Sequence, residues 1–433
     1  MQTHQYTKEK RMNPLIIIPT FIGGRSRKRD AAPTEVYDHP YPLTGIDRLG
    51  RCLKSLGSIR GVGDVAILVV ADSGIQIAAC KKVAQLVEQF PALSTMVVGA
   101  DVATLVAGYI SSLQVGPLSN EIGLSGYSGC RNLGLVIAQT LGYDCVIFLD
   151  DDEVIEDPEF MEKAVYGLGK LTKRGIPILV KTGYYINSEG TYHSKSGGAW
   201  YDRYWKQGEA FNAWIDTAMA GPRLSRSNHV CGGCLAVHRE AFRRLAFDPW
   251  IVRGEDLDYL LNLRMYGSDV WFDNRWHLKH LPPADRSEGQ RFRQDIYRWL
   301  YEFRKMEYSR TQIDLHQVKP SSLEPYPGPF LEPGIDKRIR RTAWLRSVGR
   351  PDKAAYRAAA RSAAAEAQIY AQRNCSKYFE FQLLWPELMH RLQDADQLAT
   401  ALRVSMGIES EEEAARVQLD PGATGEIQLN LAE

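Results

Sequence analysis

Three consecutive carboxylates, Asp150, Asp151 and Asp152, follow directly on the apolar run Val146-Ile147-Phe148-Leu149. A β-branched, apolar run of this length reads as a buried strand, which delivers the carboxylates at its tip. Adjacent like charges are costly unless something neutralises them. A hard divalent cation, Mg2+ or Mn2+, does so through oxygen ligands. Such a cation bridges the phosphates of a nucleoside diphosphate and offsets the charge that develops as that group leaves. The plainer reading is an acidic loop capping a helix that starts near Asp157-Pro158-Glu159. Other reactive residue types cluster in Gly126-Tyr127-Ser128-Gly129-Cys130-Arg131-Asn132-Leu133-Gly134, in Cys231-Gly232-Gly233-Cys234, in Gly254-Glu255-Asp256-Leu257-Asp258 and in Trp276-His277-Leu278-Lys279-His280. By themselves, Glu255, Asp256 and Asp258 fit a helix N-terminus, where the backbone dipole favours negative charge.

The elements that must position these residues alternate. Residues 15–21 form a buried strand ended by Pro19, residues 65–71 a second that ends at Asp72-Ser73-Gly74, and residues 145–149 a third. Short strands are expected at 96–98 and 176–182, and helices at 46–56, 77–90 and 128–141. Alternation of this kind predicts an α/β domain with a mainly parallel sheet. Ligands of such sheets bind beyond the carboxyl ends of the strands, where Asp72 and Asp150–Asp152 lie. The polar stretch 23–45, with Arg25, Arg27, Lys28 and Arg29, is long for a loop and is read as mobile or functional. Beyond about residue 285 the pattern becomes helical, rich in Ala and Arg between 335 and 373. The expected organisation is an N-terminal tail over 1–13, an α/β domain over 14–285, a helical appendage over 286–408 and an acidic, frayed tail over 409–433.

The 433 residues carry a formal net charge of +1, so no global electrostatic signature for nucleic acid is present. No apolar run approaches the ~20 residues of a membrane span, and the polar start lacks a signal-peptide core. A soluble, cytoplasmic protein is expected. Of the seven cysteines only Cys231 and Cys234 have CxxC spacing. With no second pair to complete a zinc site, all are read as reduced thiols.

Taken in order, Pro19-Thr20-Phe21, Ala71-Asp72-Ser73-Gly74, Cys130-Arg131-Asn132, Asp150-Asp151-Asp152 and Gly254-Glu255-Asp256 resemble the motifs of nucleotide-sugar glycosyltransferases of the A-type fold (GT-A), above all the large family-two group. The resemblance spans about residues 14–283 and stops short of the helical region. Ala71 stands where that family often has a first Asp. The resemblance implies a metal-dependent sugar transfer, most simply of a hexose, from a UDP- or GDP-linked donor to an acceptor hydroxyl on a small molecule or glycan. Pro19, Thr20 and Phe21 would line the nucleoside pocket, and Asp72 would bind base or ribose. Arg131 would face the diphosphate or nucleoside. Asp150 would contact ribose or sugar, and Asp152, Asp150 and His280 would hold Mn2+ or Mg2+, with Asp152 as the second acid of the DXD motif and His277 in reserve. Asp151 would point away. Gly232 and Gly233 would let backbone approach the donor sugar, and Asp256 would act as base with Glu255 as acceptor-binding partner. A later histidine fits retaining enzymes and Gly-Glu-Asp on a helix fits inverting ones, so both outcomes stay open.

Aromatic residues crowd the stretch 184–214 and suit either an acceptor cleft or a core. The basic cluster Lys337, Arg338, Arg340, Arg341, Arg346 and Arg350 suits a solvated face, an anionic acceptor or membrane surface, or a homo-oligomer contact. Two rival functions share these elements: a nucleotidyltransferase that makes sugar nucleotides, and a non-catalytic nucleotide-sugar-binding protein.

Overall fold

The computed structural model describes residues 12–410, apart from 24–36, 38, 39, 46, 114, 116, 117, 197 and 283–287. Its centre is a sheet of nine strands: β1 (Pro14–Ile22), β2 (Asp64–Ala71), β3 (Thr95–Val98), β4 (Cys145–Phe148), β5 (Glu153–Val154), β6 (Val180–Ile186), β7 (Leu224–Arg226), β8 (Leu235–His238) and β9 (Val270–His280). The order is β3-β2-β1-β4-β8-β6-β9-β5, with β7 also on β9. The half β3-β2-β1-β4 is parallel throughout. Its apolar runs are buried on both faces, as parallel strands require. Beyond β4, strand β8 enters antiparallel between β4 and β6, and β6 then runs parallel to β9. The fold is therefore α/β with a mixed sheet, its parallel core where strand–helix alternation predicts it.

Two strand boundaries differ from expectation. β1 continues through Pro19 to Ile22 instead of ending there. Past Ile17 its other edge leaves β4 and makes only an isolated bridge from Ile22 to Tyr41 among the described residues, and a strand with an open edge tolerates proline. The strand expected at 176–182 lies at Val180–Ile186. Ile176 and Pro177 belong to a preceding turn, bridged from Leu171 to Pro177, whereas Tyr184–Ile186 pair with His277–Lys279.

Helices α1 (Asp47–Leu56), α2 (Gln76–Val87), α3 (Ala100–Ser112), α4 (Leu118–Glu121) and α5 (Tyr127–Thr140) connect the parallel strands. Short α6 (Phe160–Val165), α7 (Gln207–Ala220), α8 (Arg239–Phe242) and α9 (Glu255–Met265) follow. The C-terminal helices are α10 (Glu288–Ser309), α11 (Ile335–Gly349), α12 (Lys353–Ala358), α13 (Ala364–Asn374), α14 (Lys377–Gln393) and α15 (Asp396–Ser405). They share one apolar core with the sheet, reaching from Leu15 to Met406. Polar bonds reinforce the join: Gln139 Nε2 donates to the Met389 carbonyl at 2.8 Å and Trp385 Nε1 to that of Phe242 at 2.7 Å. Lys305 of α10 is buried between Asp248 and Asp258, 2.6 Å from each, so α10 is anchored directly to α9. No helix among the described residues is long and apolar enough to cross a membrane.

Candidate active site

Strand ends and helix starts converge on one open cleft of about 890 Å³. β1 contributes Pro19 and Phe21, the loop after β4 Asp150, Asp151 and Asp152, and α5 Tyr127 and Arg131. Gly232, Glu255, Asp256 and His280 line it as well.

The three acidic residues at the start of α9 take different directions, because successive helix positions turn by ~100°. Glu255 is buried and accepts from Arg131 Nε at 2.9 Å. Asp258 turns into the core and binds Lys305. Asp256, on the side away from Asp258, lines the cleft near Gly232: a Cβ on Gly232 would lie 3.4 Å from its Oδ2. The helix is entered through Gly254 at φ +74°, a left-handed conformation that favours glycine.

Arg131 is the hub of the inner end. Its guanidinium bonds Glu255, donates to the Gly232 carbonyl at 3.0 Å, and lies 3.8 Å from Asp150. It also stacks 4.8 Å above the Phe148 ring. Neither glycine of the Cys231–Cys234 segment can carry a side chain here. A Cβ on Gly232 would be 2.6 Å from Arg131 Nη2, and one on Gly233 2.0 Å from Glu153 Oε1. All seven cysteines are free, and Cys231 and Cys234 are buried.

Beside this hub lies the acidic cluster. Asp152 is buried, and its Oδ1 is 3.4 Å from His280 Nε2. The cause is strand pairing: β5 runs antiparallel to the end of β9, with Glu153 opposite His280. Asp150 keeps a partly open side chain. Asp151 points away from the pair, as expected, and accepts from Thr20 Oγ1 at 2.6 Å. Burial, opposed by Arg131 and reinforced by Asp152, pushes the Asp150 carboxyl up to about 6. Burial likewise raises Asp151 to about 7 against its Thr20 hydrogen bond. These carboxylates are thus held where their charged form is disfavoured, a state that a cation would relieve. Among the described residues no ready-made group of three His, Cys, Asp or Glu ligands is present. The oxygen and imidazole donors of Asp152 and His280, with Asp150 on the same wall, still fit Mn2+ or Mg2+ bound partly by the protein and partly by phosphates and water.

Not every expected residue meets the cleft. The Thr20 side chain is spent on Asp151 and Tyr41 and is fully buried. Asp72 is exposed at the end of β2, outside the cleft lining, near Gly23 and Pro40. His277 stacks on Tyr184 and is not part of the cleft lining, whereas His280 is. The basic stretch Arg25–Arg29 lies outside the described residues.

Motif reading named Phe21 for this cleft but gave no role to several of its neighbours. Phe21, Tyr37 and Tyr127 form an aromatic trio with ring centroids 4.3–5.4 Å apart at the end of β1. Tyr185 Oη accepts from the Gly233 N–H at 2.7 Å and fixes that turn. His229 packs among Phe211, Trp214 and Tyr326, and burial lowers its imidazole to about 4, so it stays neutral. Much of the aromatic stretch 184–214 does face the cleft, Tyr184, Tyr185, Tyr192, Tyr201 and Trp205 included, whereas Trp200 is exposed outside it. The far wall comes from α10, with Arg291, Asp295 and Arg298 on one face, and from Arg346 and Arg350 around the end of α11. The i, i+4, i+7 spacing of the α10 residues is visible in the sequence; its meaning depends on a fold that sequence pattern does not supply.

No protein-family model matches the chain, and no curated protein matches it in sequence. Among solved structures it is similar to the mannosyltransferase PcManGT from Pyrobaculum calidifontis in complex with GDP-Man and Mn2+, at 12% identity, with 90% of this chain and 89% of that chain covered and a TM-score of 0.47. It is also similar to GalNAc-T7 with UDP, GalNAc and Mn2+, at 12% identity and a TM-score of 0.40, covering 78% of this chain and 57% of that one. A third similar structure is a mycobacterial protein, at 12% identity and a TM-score of 0.35, with 67% and 74% covered.

Proposed function

We propose that the protein is a metal-dependent GT-A glycosyltransferase that moves a sugar, most simply a hexose, from a UDP- or GDP-linked donor to an acceptor hydroxyl. The observation that carries this reading is the inner end of the cleft. Asp152 and His280 stand 3.4 Å apart on one side, and Asp256 faces the cleft beside the Gly232 backbone on the other.

In this reading the nucleoside lies against Pro19, Phe21 and Tyr127, with the base on aromatic rings. Asp152 and His280, with Asp150, hold Mn2+ or Mg2+. That ion, when bound, neutralises the diphosphate and the charge it gains on leaving. Gly232 and Gly233 let the donor sugar approach the backbone closely. Arg131 supports this floor from beneath: it holds the Gly232 carbonyl and Glu255 and so sets the start of α9. Glu255, paired with Arg131, positions Asp256 rather than binding acceptor directly. Asp256 then takes the acceptor hydroxyl proton. The freed oxygen lone pair forms the new bond to the anomeric carbon, and the bond to the distal phosphate breaks with its electrons on the nucleoside diphosphate.

The test separates binding from chemistry. Asp256→Asn keeps its donor affinity by calorimetry but loses about 10²–10⁴-fold in transfer or donor-hydrolysis rate, the usual share of a general base. GDP-mannose and UDP-N-acetylgalactosamine are the first donors to try. Near-normal turnover in the variant overturns the base assignment. Product configuration reads the stereochemistry, since direct attack assisted by Asp256 inverts the anomeric centre.

A further inference from the structure

The cleft is electrically polarised along its length. Its inner end gathers Asp150, Asp151, Asp152, Glu255 and Asp256 around the Arg131 guanidinium, which is paired with Glu255 and Asp150. Its outer end reverses the balance: Arg253, Arg291, Arg298, Arg346 and Arg350 all line it. Among the described residues, the cleft-lining carboxylates paired with them are fewer than the arginines. Arg346 and Arg350 share Asp202, at 2.7 and 3.4 Å, and Arg253 pairs with Asp295 at 3.1 Å. Glu288 lies further off, 3.7 Å from Arg350.

These arginines are also held in place. Arg346 stacks 4.5 Å above Phe292, and Arg350 lies 5.5 Å from the Tyr201 ring centroid. Arg298 is buried, bonded to Glu302 at 3.2 Å and packed on Trp299 at 4.7 Å. Its guanidinium sits against Gly254, where a Cβ would come within 2.2 Å of Cζ, two residues from Asp256. A guanidinium fork fixed by stacking loses little freedom on meeting an anion, and it matches carboxylate and phosphate geometry. Solvated surface arginines have no such arrangement.

We propose that the outer end of the cleft is an anion subsite, so that the acceptor carries a carboxylate or phosphate close to the hydroxyl that is glycosylated. This rests on the glycosyl-transfer reading for the word acceptor, though the subsite itself does not. The anion lies on the arginine wall of α10 and α11, while the rest of the acceptor packs on Tyr201 and its hydroxyl reaches Asp256.

The test uses glucose, glucuronate and glucose 6-phosphate as probes, titrated calorimetrically into the full chain saturated with Mn2+ and UDP or GDP, which fills the donor phosphate position. At least one anionic probe is expected to bind about 10- to 100-fold more tightly than glucose, the range set by hydrogen bonds to a charged group. The stronger of the two identifies carboxylate or phosphate as the preferred group. Arg350→Gln combined with Arg291→Gln brings that probe to the level of glucose and leaves nucleotide affinity unchanged. Equal binding of the three probes, or an anion preference that survives in the double variant, overturns the proposal. If neither nucleotide binds, the glycosyl-transfer reading fails. The same comparison between the nucleotide-free wild type and the double variant then still decides the subsite.

Discussion

The two ends of the cleft are built by different means. The inner end grows out of the sheet, and its side chains are fixed by buried contacts made within a few residues of a strand tip or a helix start. Arg131 and Glu255 form one buried pair, and Asp152 and His280 are brought together by a strand ladder. The outer end is assembled from segments far apart in the chain: Asp202, the face of α10 and the end of α11, joined by partly buried ion pairs such as Arg350–Asp202. The first design suits chemistry that tolerates little movement. The second suits recognition, where side chains can change without disturbing the core.

That contrast predicts a ranking of mutational effects. Arg131→Met strands Glu255 as an unpaired buried charge and should cost about 3–5 kcal/mol in urea unfolding. Arg131→Met with Glu255→Leu should recover most of the loss, because breaking a buried pair costs more than replacing it. A double variant no more stable than the single one would show that the pair is not what holds the inner end. Gly233→Ala comes next, at about 1–3 kcal/mol, because its Cβ would collide with Glu153 at 2.0 Å. Unchanged stability there would mean that the turn relaxes freely and the inner end is looser than its contacts imply.

The smallest effect sharpens the comparison from outside the cleft. Lys181 is as buried as Arg131, but it shares Asp273 with Arg223 and touches no part of the site. Burial, only partly offset by Asp273, lowers its ammonium to about 8. Between pH 8 and ~10.4, the value of an unperturbed lysine, the unfolded chain holds this proton and the folded chain does not. The contribution of Lys181 to stability is therefore present at high pH and is lost as pH falls through 8. The stability of the wild type relative to Lys181→Met should accordingly rise between those two pH values, with a slope of at most ~1.4 kcal/mol per pH unit. Urea titrations at several pH values across that window read the difference, and a pH-independent gap contradicts it. Buried charge alone thus does not mark the site; convergence on the cleft does.

The same division explains what the sequence made visible. Local patterns located β1, β2 and β4, helix α5 and the carboxylates at the tip of β4, because an apolar run and its polar end are neighbours in the chain. Asp151 turns away from Asp152 by simple alternation, whereas the demand for glycine at 233 comes from Glu153, far away in the chain. Thr20 and Asp72 were harder: one is captured by Asp151 and Tyr41, the other stays outside the lining, and both outcomes depend on long-range packing. Strands β8 and β9 have their register set by partners up to 127 residues away (Glu153 opposite His280), so their roles in placing Gly232 and His280 were not readable. The arginine wall was half visible: Arg346 and Arg350 stood out in a basic cluster for which an anionic acceptor was one reading, but their meeting with Arg291 and Arg298 of α10 depends on helix docking that has no local signature.

The most direct test of the central claim is nucleotide binding at the inner end, measured as a thermal shift with UDP, GDP, CDP and dTDP, each with and without Mn2+. Ligand that binds only the folded state raises the melting temperature with the logarithm of its excess. A Mn2+-dependent shift for UDP or GDP in the wild type, absent in Asp152→Ala, is the predicted result. No shift with any nucleotide, or an equal shift in Asp152→Ala, would contradict the donor and metal site proposed at Asp152 and His280.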